Sequence, residues 1–249
     1  MNIFNPKASE TAGEQRAEHI NEHFGDESTF EVIFSGIMTR VYAYMFMGLI
    51  VTALVAWWVT GVDAFWTWLH YSAWGIWVVL LAPIALLLIM RATEKIASHA
   101  LDVGMFVLFS AVFGLSMAVA VYSYTAASIV STLALTCALF GAMSLYGFVT
   151  KKCLNSWGSF LFMGLIGIIG AAVINIFIMS DGLAFIISLV AVGVFLGLTA
   201  YDTQKIKNAL LESPAECQSK KIAIQGAIML YLNFLNLFLH LLRLFGDRD

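Results

Sequence analysis

Charged residues are scarce in this chain: only 12% of its 249 residues are Asp, Glu, Lys or Arg, whereas 61% are hydrophobic. Soluble domains are close to half apolar and a quarter charged. No folded core of this size could hide the remaining apolar surface from water. The composition therefore excludes an ordinary soluble protein and predicts that lipid surrounds most of the chain. The formal net charge of −3 gives no basis for nucleic-acid binding.

Cysteine is also rare, and its pattern excludes a disulfide framework. Cys137, Cys153 and Cys217 are odd in number and widely scattered. We interpret them as packing or bystander thiols. The N-terminus lacks the short basic region and adjoining apolar stretch of a secretory signal, so the first span is expected to stay in the mature protein.

Long apolar runs dominate what is present. Seven of them are long enough to cross about 30 Å of hydrocarbon as helices. They are continuous rather than alternating, which favours helices over membrane-spanning strands. The sequence therefore predicts an all-α integral membrane protein with seven transmembrane helices. The runs lie near residues 41–59, 72–90, 103–123, 126–149, 158–179, 183–201 and 223–245.

Basic residues are divided unevenly between the two ends of these runs. Of the 13 Lys and Arg residues, 11 lie on the side of the N-terminal tail and two lie on the other side. Lys and Arg concentrate in cytoplasmic loops. The count predicts a cytoplasmic N-terminus and an external C-terminus. The larger group is Lys7, Arg16, Arg40, Arg91, Lys95, Lys151, Lys152, Lys205, Lys207, Lys220 and Lys221, and the smaller is Arg243 and Arg248.

Residues 1–35 differ in kind from the rest of the chain. They carry seven acidic residues against only Lys7 and Arg16. A segment of this composition buries too little apolar surface to order itself. We predict a disordered acidic cytoplasmic tail over residues 1–35 and a seven-helix transmembrane domain over residues 36–249. The alternative interpretation of the tail is a docking segment for a partner protein.

Within that tail, residues 19–23 match the H-x-x-E-H pattern of a class of zinc proteases through His19, Glu22 and His23. A catalytic zinc site needs a third ligand and rigid support. The tail offers no core to hold such a site, and no nucleophile elbow, phosphate-binding loop or paired-cysteine motif occurs elsewhere. The sequence therefore predicts that the protein is not an enzyme and has no resident cofactor.

Polar residues concentrate on one face of the seventh span. Asn233, Asn236, His240 and Arg243 fall within an arc of about 80° on a helix of 3.6 residues per turn. Polar groups at bilayer depth belong against protein or water. We expect this face to point into the bundle, where it serves either as hydrogen-bonding contacts between helices or as the lining of a cation path.

The sixth span ends at an acidic residue, Asp202, followed by Lys205 and Lys207. One interpretation is a hydrated carboxylate at the cytoplasmic interface. Against it, a carboxylate at a helix C-terminus meets the negative end of the helix dipole. If the helix continues, Thr199 and Asp202 share one face. A carboxylate at or near membrane depth is then a candidate functional group.

Glycines recur at helix-packing spacing in two spans. Gly164, Gly167 and Gly170 lie in the fifth span, and Gly193 and Gly197 lie in the sixth. Small residues let neighbouring backbones approach closely. We expect these positions to be contacts between helices.

The end of the sixth span carries a family resemblance. Its sequence from Gly197 to Lys205, Gly-Leu-Thr-Ala-Tyr-Asp-Thr-Gln-Lys, resembles the Bax inhibitor-1 family, in particular the bacterial inner-membrane branch. Supporting stretches lie at residues 124–129, 140–147 and 230–238, which read Tyr-Thr-Ala-Ala-Ser-Ile, Phe-Gly-Ala-Met-Ser-Leu-Tyr-Gly and Leu-Tyr-Leu-Asn-Phe-Leu-Asn-Leu-Phe. The likeness runs from about Ile37 to Gly246, which is nearly the whole membrane part.

The resemblance implies a bundle whose seventh helix is central and which acts as a proton-sensitive calcium leak. In that family, two aspartates on the sixth and seventh spans face each other and share a proton. The first maps to Asp202. The second maps to Asn233, which cannot titrate but can ligate a cation through its carbonyl oxygen. The family's arginine near the end of the second span maps to Arg91, which either pairs with the acidic site or extends to the interface.

The combined expectation is a Bax inhibitor-1-like protein of the cell inner membrane that forms a pH-modulated calcium or cation leak channel. Asp202 and Asn233 are the candidate cation ligands, and Arg91, Asn236 and His240 are candidate pore or latch residues. The expected partners are the lipid bilayer and calcium, or another cation, as the transported ion. The alternative is a regulator that binds another membrane protein, such as a quality-control protease, through the acidic tail.

Overall fold

The computed structural model describes residues 27–247, apart from 94–97, 151–153 and 213–215. These residues form eight helices and no β-strand, which confirms the predicted all-α fold. The zinc-protease-like motif at residues 19–23 and the rest of residues 1–26 lie outside the described residues. The helices are α1 (Glu27–Thr60), α2 (Asp63–Tyr71), α3 (Gly75–Thr93), α4 (His99–Val121), α5 (Ala126–Val149), α6 (Asn155–Ile178), α7 (Asp181–Glu212) and α8 (Glu216–Phe245).

Seven of these helices, all except α2, are long and apolar enough to cross a membrane. Each overlaps one of the predicted apolar runs, with ends that differ by a few residues at several spans, so the protein is a multi-pass membrane protein with seven spans. The nine-residue helix α2 was not predicted. It joins α1 to α3, and none of its residues is fully buried. Trp68 is exposed, while the Trp66 ring packs on that of Tyr122 with centroids 4.1 Å apart.

Two helices extend well beyond their predicted spans. α1 begins at Glu27, so residues 27–35 of the predicted tail are helical, and Phe34 is fully buried. α7 continues to Glu212, so Asp202 does not end the sixth span. Ile206 and Leu210 explain this continuation. They lie one turn apart and are almost completely buried, although several of the residues next to them in the sequence are polar. The helical periodicity therefore persists where the composition turns polar.

The last helix, α8, lies at the centre of the bundle, as the resemblance implied. In the apolar, membrane-spanning part of α8, 67% of the residues are buried, against 11–39% in the corresponding parts of the other six spans. It contacts α1 and α4 on one side and α5 and α7 on the other. α3 packs on α4, and α6 packs on α7. The first three spans and the next three spans therefore form two groups around α8.

The glycine prediction is correct at only two of its five positions. Side chains of the neighbouring helix lie against Gly164 and Gly197, where an added Cβ would come within 3.1 Å of Val194 and 2.7 Å of Leu161. The other three glycines, Gly167, Gly170 and Gly193, have open space where a Cβ would be. Repeated spacing alone does not identify which face of a lipid-exposed helix meets a neighbour.

The distribution of Lys and Arg makes membrane orientation testable. With 11 basic residues on one side and two on the other, we expect a cytoplasmic N-terminus and an external C-terminus. An alkaline phosphatase fused after residue 249 should be active in a bacterial host, and one inserted at residue 214 should be inactive. The reverse pattern of activity would show that the orientation is inverted.

Candidate functional site

Asp202 of α7 and Asn233 of α8 form a hydrogen-bonded pair inside the bundle. The Asn233 Nδ2 donates to the Asp202 Oδ2 over 2.7 Å. Both residues are buried, with 8% of Asp202 and 6% of Asn233 exposed. This burial excludes the interpretation of Asp202 as a hydrated carboxylate at the interface. The two positions that the resemblance paired do face each other in this chain.

Hydroxyl groups next to this pair connect three helices. The Thr203 Oγ1 donates to the Thr199 backbone oxygen over 2.8 Å and lies 3.2 Å from the Ser144 Oγ of α5. The Ser144 hydroxyl also bonds to the Tyr42 hydroxyl of α1. Ser144, Thr199 and Thr203 are buried. A continuous set of hydroxyls therefore runs from α1 through α5 to the turn of α7 that carries Asp202.

The residues on either side of Asp202 and Thr203 reach α6. Gln204 accepts, through its Oε1, the Leu154 backbone N–H over 2.6 Å just before α6 begins. Tyr201 lies against Gly158, where an added Cβ would be 2.7 Å from the Tyr201 ring. Four successive residues of α7 thus meet three different helices, because each step along a helix rotates the side chain by about 100°. The segment that carries the family resemblance therefore makes contacts with three helices within four residues.

The polar face of α8 runs along α7 towards the other end of the bundle. The His240 Nδ1 lies 3.3 Å from the Ser188 Oγ, and the imidazole stacks on the Phe195 ring with centroids 6.0 Å apart. The Asn236 Nδ2 donates instead to the Leu232 backbone oxygen of its own helix over 2.8 Å. Asn236 and His240 therefore do not contact the Asp202 carboxylate, although they continue the same stripe.

We call this contact the α7–α8 seam, defined by residues 188–202 of α7 and 233–240 of α8. Ser188 and Asp202 are about four turns apart, or roughly 21 Å along the helix. Polar groups occupy both ends of the seam, while Ala191, Phe195 and Leu237 are buried between them. The seam is closed by these apolar side chains.

Comparison with known proteins identifies the family of this chain. Residues 35–249 match the family described as "Inhibitor of apoptosis-promoting Bax1". The chain belongs to the Bax inhibitor-1 family. The "Inner membrane protein YbhL" of Escherichia coli strain K12 is 41% identical over 85% of this chain and 91% of that protein. The "Uncharacterized protein RP147" of Rickettsia prowazekii is 35% identical over 88% and 93%, and the "Uncharacterized protein YrjE" of Lactococcus lactis is 33% identical over 85% and 91%.

The arginine suggested by the Bax inhibitor-1 resemblance lies elsewhere in the bundle. Arg91, in the last turn of α3, lines a pocket with Asp102 of α4 and with Lys221 and Gln225 of α8. Neither member of the Asp–Asn pair lines this pocket. Gln225 precedes the asparagine of that pair by eight residues, or about 12 Å of helix. Arg91 therefore lines a pocket that is separate from the Asp202–Asn233 pair.

The sequence did not predict an ion pair between α7 and α1, which lies just over one turn of α7 after Asp202. The Lys207 Nζ lies 2.7 Å from the Glu31 Oε1 of α1 and over the rings of Phe34 and Phe148, 5.0 Å and 6.0 Å from their centroids. Only 11% of the lysine side chain is exposed. The two charged residues are separated by 176 positions, and nothing in either local sequence indicates that they meet.

Proposed function

We propose that this Bax inhibitor-1 family protein is a passive cation leak whose conducting path follows the α7–α8 seam. The observation that carries the proposal is the Asp202 carboxylate, which is buried beside a neutral amide. Across the described part of the chain, no basic side chain forms an ion pair with it. A buried carboxylate is costly unless a cation or hydrogen bonds compensate its charge. The hydrogen bond from Asn233 compensates this charge only in part, so Asp202 suits a position that cations occupy in passing.

The available ligands favour calcium or a similar hard cation held weakly. Calcium prefers oxygen ligands and takes six to eight of them. The Asp202 carboxylate supplies oxygens at the seam, and Asn233, whose Nδ2 faces that carboxylate, presents its carbonyl oxygen when the amide rotates. Among residues that the structure describes, no group of three His, Cys, Asp or Glu side chains could hold a metal ion. Weak, incomplete coordination suits conduction, because an ion must leave its site as readily as it enters.

We place this leak in the inner membrane, with the acidic pair towards the cytoplasm. The E. coli relative is named an inner membrane protein, and the excess of Lys and Arg lies at the Asp202 end of the bundle. Passive conduction needs no covalent chemistry, so the proposal includes no catalytic residue and no resident cofactor. The apolar side chains between the two ends of the seam must separate for ions to pass.

Replacing Asp202 with asparagine tests the proposal. The new amide can still accept the hydrogen bond from Asn233, so the fold should survive while the charge is lost. Because a carboxylate attracts a nearby divalent cation strongly at protein dielectric, we expect calcium flux into liposomes to fall about ten-fold or more. The matched control is Asp181→Asn, which makes the same change at the exposed first turn of the same helix and should leave flux unchanged.

A folded Asp202→Asn protein with wild-type flux would refute the proposed path. The regulator alternative is examined in the same assay by deleting residues 1–26. The deletion should stop there, because residues 27–35 belong to α1 and contain the buried Phe34 and the Glu31 partner of Lys207. A leak through the seam should persist without the tail. Loss of flux on this deletion would assign the activity to the tail instead.

A further inference from the structure

α3 and α8 face each other across a pocket at the end of the bundle where basic residues concentrate. In its outer half, α3 is attached to α4, where the Ser116 Oγ donates to the Val79 backbone oxygen over 2.6 Å. Near its last turn, α3 and α8 leave a pocket between them that α4 closes on one side. The pocket is lined by Leu87, Met90, Arg91, Asp102, Lys221, Ile224, Gln225 and Ile228.

The lining changes from charged to apolar along the membrane normal. On α3, Leu87 lies one turn deeper than Arg91, and on α8, Ile224 and Ile228 lie one and two turns deeper than Lys221. All three helices have an end at this side: α3 ends at Thr93, α4 begins at His99 and α8 begins at Glu216. The pocket is therefore charged at its mouth and apolar towards the bilayer centre.

The charges at the mouth favour an anion. Among the described residues that line the pocket, Arg91 and Lys221 carry positive charge and Asp102 carries negative charge. A guanidinium presents several donors in a geometry that fits phosphate oxygens, and a lysine ammonium binds phosphate as a point charge. The N-terminus of α4, where the Ser98 Oγ accepts the Leu101 N–H over 3.4 Å, adds the positive end of a helix dipole.

We infer that this pocket binds an anionic phospholipid, with the phosphate at Arg91 and Lys221 and one acyl chain along the apolar residues of α3 and α8. Basic pockets between transmembrane helices are suited to acidic headgroups. The exposed residues next to the pocket, Leu88 at 64% and Ile89 at 52%, give a lipid direct access from the bilayer. A soluble phosphate would use the charged mouth but leave the apolar half unfilled. This inference does not depend on ion conduction.

Lipid binding by the purified full-length protein tests the inference. Native mass spectrometry would compare phosphatidylglycerol with phosphatidylcholine of the same acyl chains, and we expect the wild-type protein to retain phosphatidylglycerol preferentially. Each basic residue near an anionic lipid is worth about five-fold in affinity. Arg91→Gln and Lys221→Gln should each weaken binding about five-fold, and the double variant on the order of 25-fold. Asp102→Asn should strengthen it by about five-fold, because the opposing charge is removed.

Lys220→Gln is the matched control, since Lys220 is exposed, neighbours Lys221 and does not line the pocket. It should change phosphatidylglycerol binding less than two-fold, a diffuse effect of surface charge. Thermal unfolding monitors folding, and phosphatidylglycerol should raise the unfolding temperature of the wild type but not of the double variant. Equal losses in the control and the pocket variants would overturn the inference, as would displacement of the lipid by inorganic phosphate or equal retention of the two lipids.

Discussion

Asn233→Asp should convert a weakly pH-dependent flux into one that rises between about pH 5.5 and 8. The Asn233 Nδ2 lies 2.7 Å from the Asp202 Oδ2, so the new carboxylate would stand within hydrogen-bond distance of the existing one. Two such carboxylates share a proton at lower pH, which keeps the seam closed. When that proton is lost, the two charges repel each other and attract a divalent cation more strongly. We expect flux to change on the order of ten-fold across the window, the effect of about 1.4 kcal/mol of coupling.

The double variant Asp202→Asn with Asn233→Asp is the control for this coupling. It moves the single carboxylate from α7 to α8 and keeps the hydrogen bond, so it should conduct with the shallow pH profile of the wild type. Calcium flux into liposomes would be measured for all three proteins at each pH. A flat profile for Asn233→Asp, or a steep one that persists in the double variant, would show that the two positions do not act as a pair.

Gly147→Ala should lower the apparent unfolding temperature by roughly 2–12 °C, the equivalent of 1–3 kcal/mol of overpacking. Gly147 of α5 is buried against α7, where an added Cβ would lie 2.5 Å from the Ala200 backbone oxygen and 3.0 Å from the Thr203 Cβ. A backbone atom cannot move aside as a flexible side chain would, so α5 and α7 must separate. The separation would also disturb the Ser144–Thr203 contact and the turn that carries Asp202.

Gly141→Ala is the matched control on the same helix. An added Cβ there has open space, with no other atom within 4 Å, and alanine favours helix over glycine. Its unfolding temperature in detergent should therefore equal or slightly exceed that of the wild type. Similar losses at the two positions would mean that the effect comes from the helix itself, and the proposed contact between α5 and α7 would then be unimportant for stability.

Both predictions concern the same turn of α7, and together they connect stability with the proposed path. Thr203 ties this turn to α5, Gln204 ties it to the beginning of α6, and Asp202 ties it to α8. For a cation path to open along the seam, α7 must move relative to α8. The contacts of Thr203 with α5 and of Gln204 with the beginning of α6 must then either hold or rearrange. Substitutions at the attachments are therefore expected to alter flux as well as folding.

The fold followed from the sequence because the bilayer imposes simple demands. Apolar runs about 20 residues long had to become helices, since a helix satisfies its own backbone hydrogen bonds in hydrocarbon. The excess of polar residues on the seventh span pointed to a buried helix, and α8 is the central one. Outside the hydrocarbon these demands relax, which is why the short helix α2 and the extended ends of α1 and α7 were not predicted.

The candidate site could be predicted from the sequence only in part. The resemblance to the Bax inhibitor-1 family directed attention to Asp202 and Asn233, and the structure places them in contact. The polar stripe of α8 predicted the face but not the partners, since Asn236 bonds to its own helix and His240 meets Ser188. Arg91 lies in a different pocket, with Lys221 and Asp102.

By itself, the sequence determined that this is a seven-span membrane protein of mostly lipid-facing helices, because hydropathy and span length are properties of one segment at a time. Only the tertiary structure decided which polar groups meet. The Lys207–Glu31 ion pair joins residues 176 positions apart. A Cβ at Gly147 would meet the Ala200 backbone, whereas Gly141 has open space. Such pairings depend on the rotation of each helix about its axis. That rotation is set by the packing of several helices at once, so no single stretch of sequence contains it.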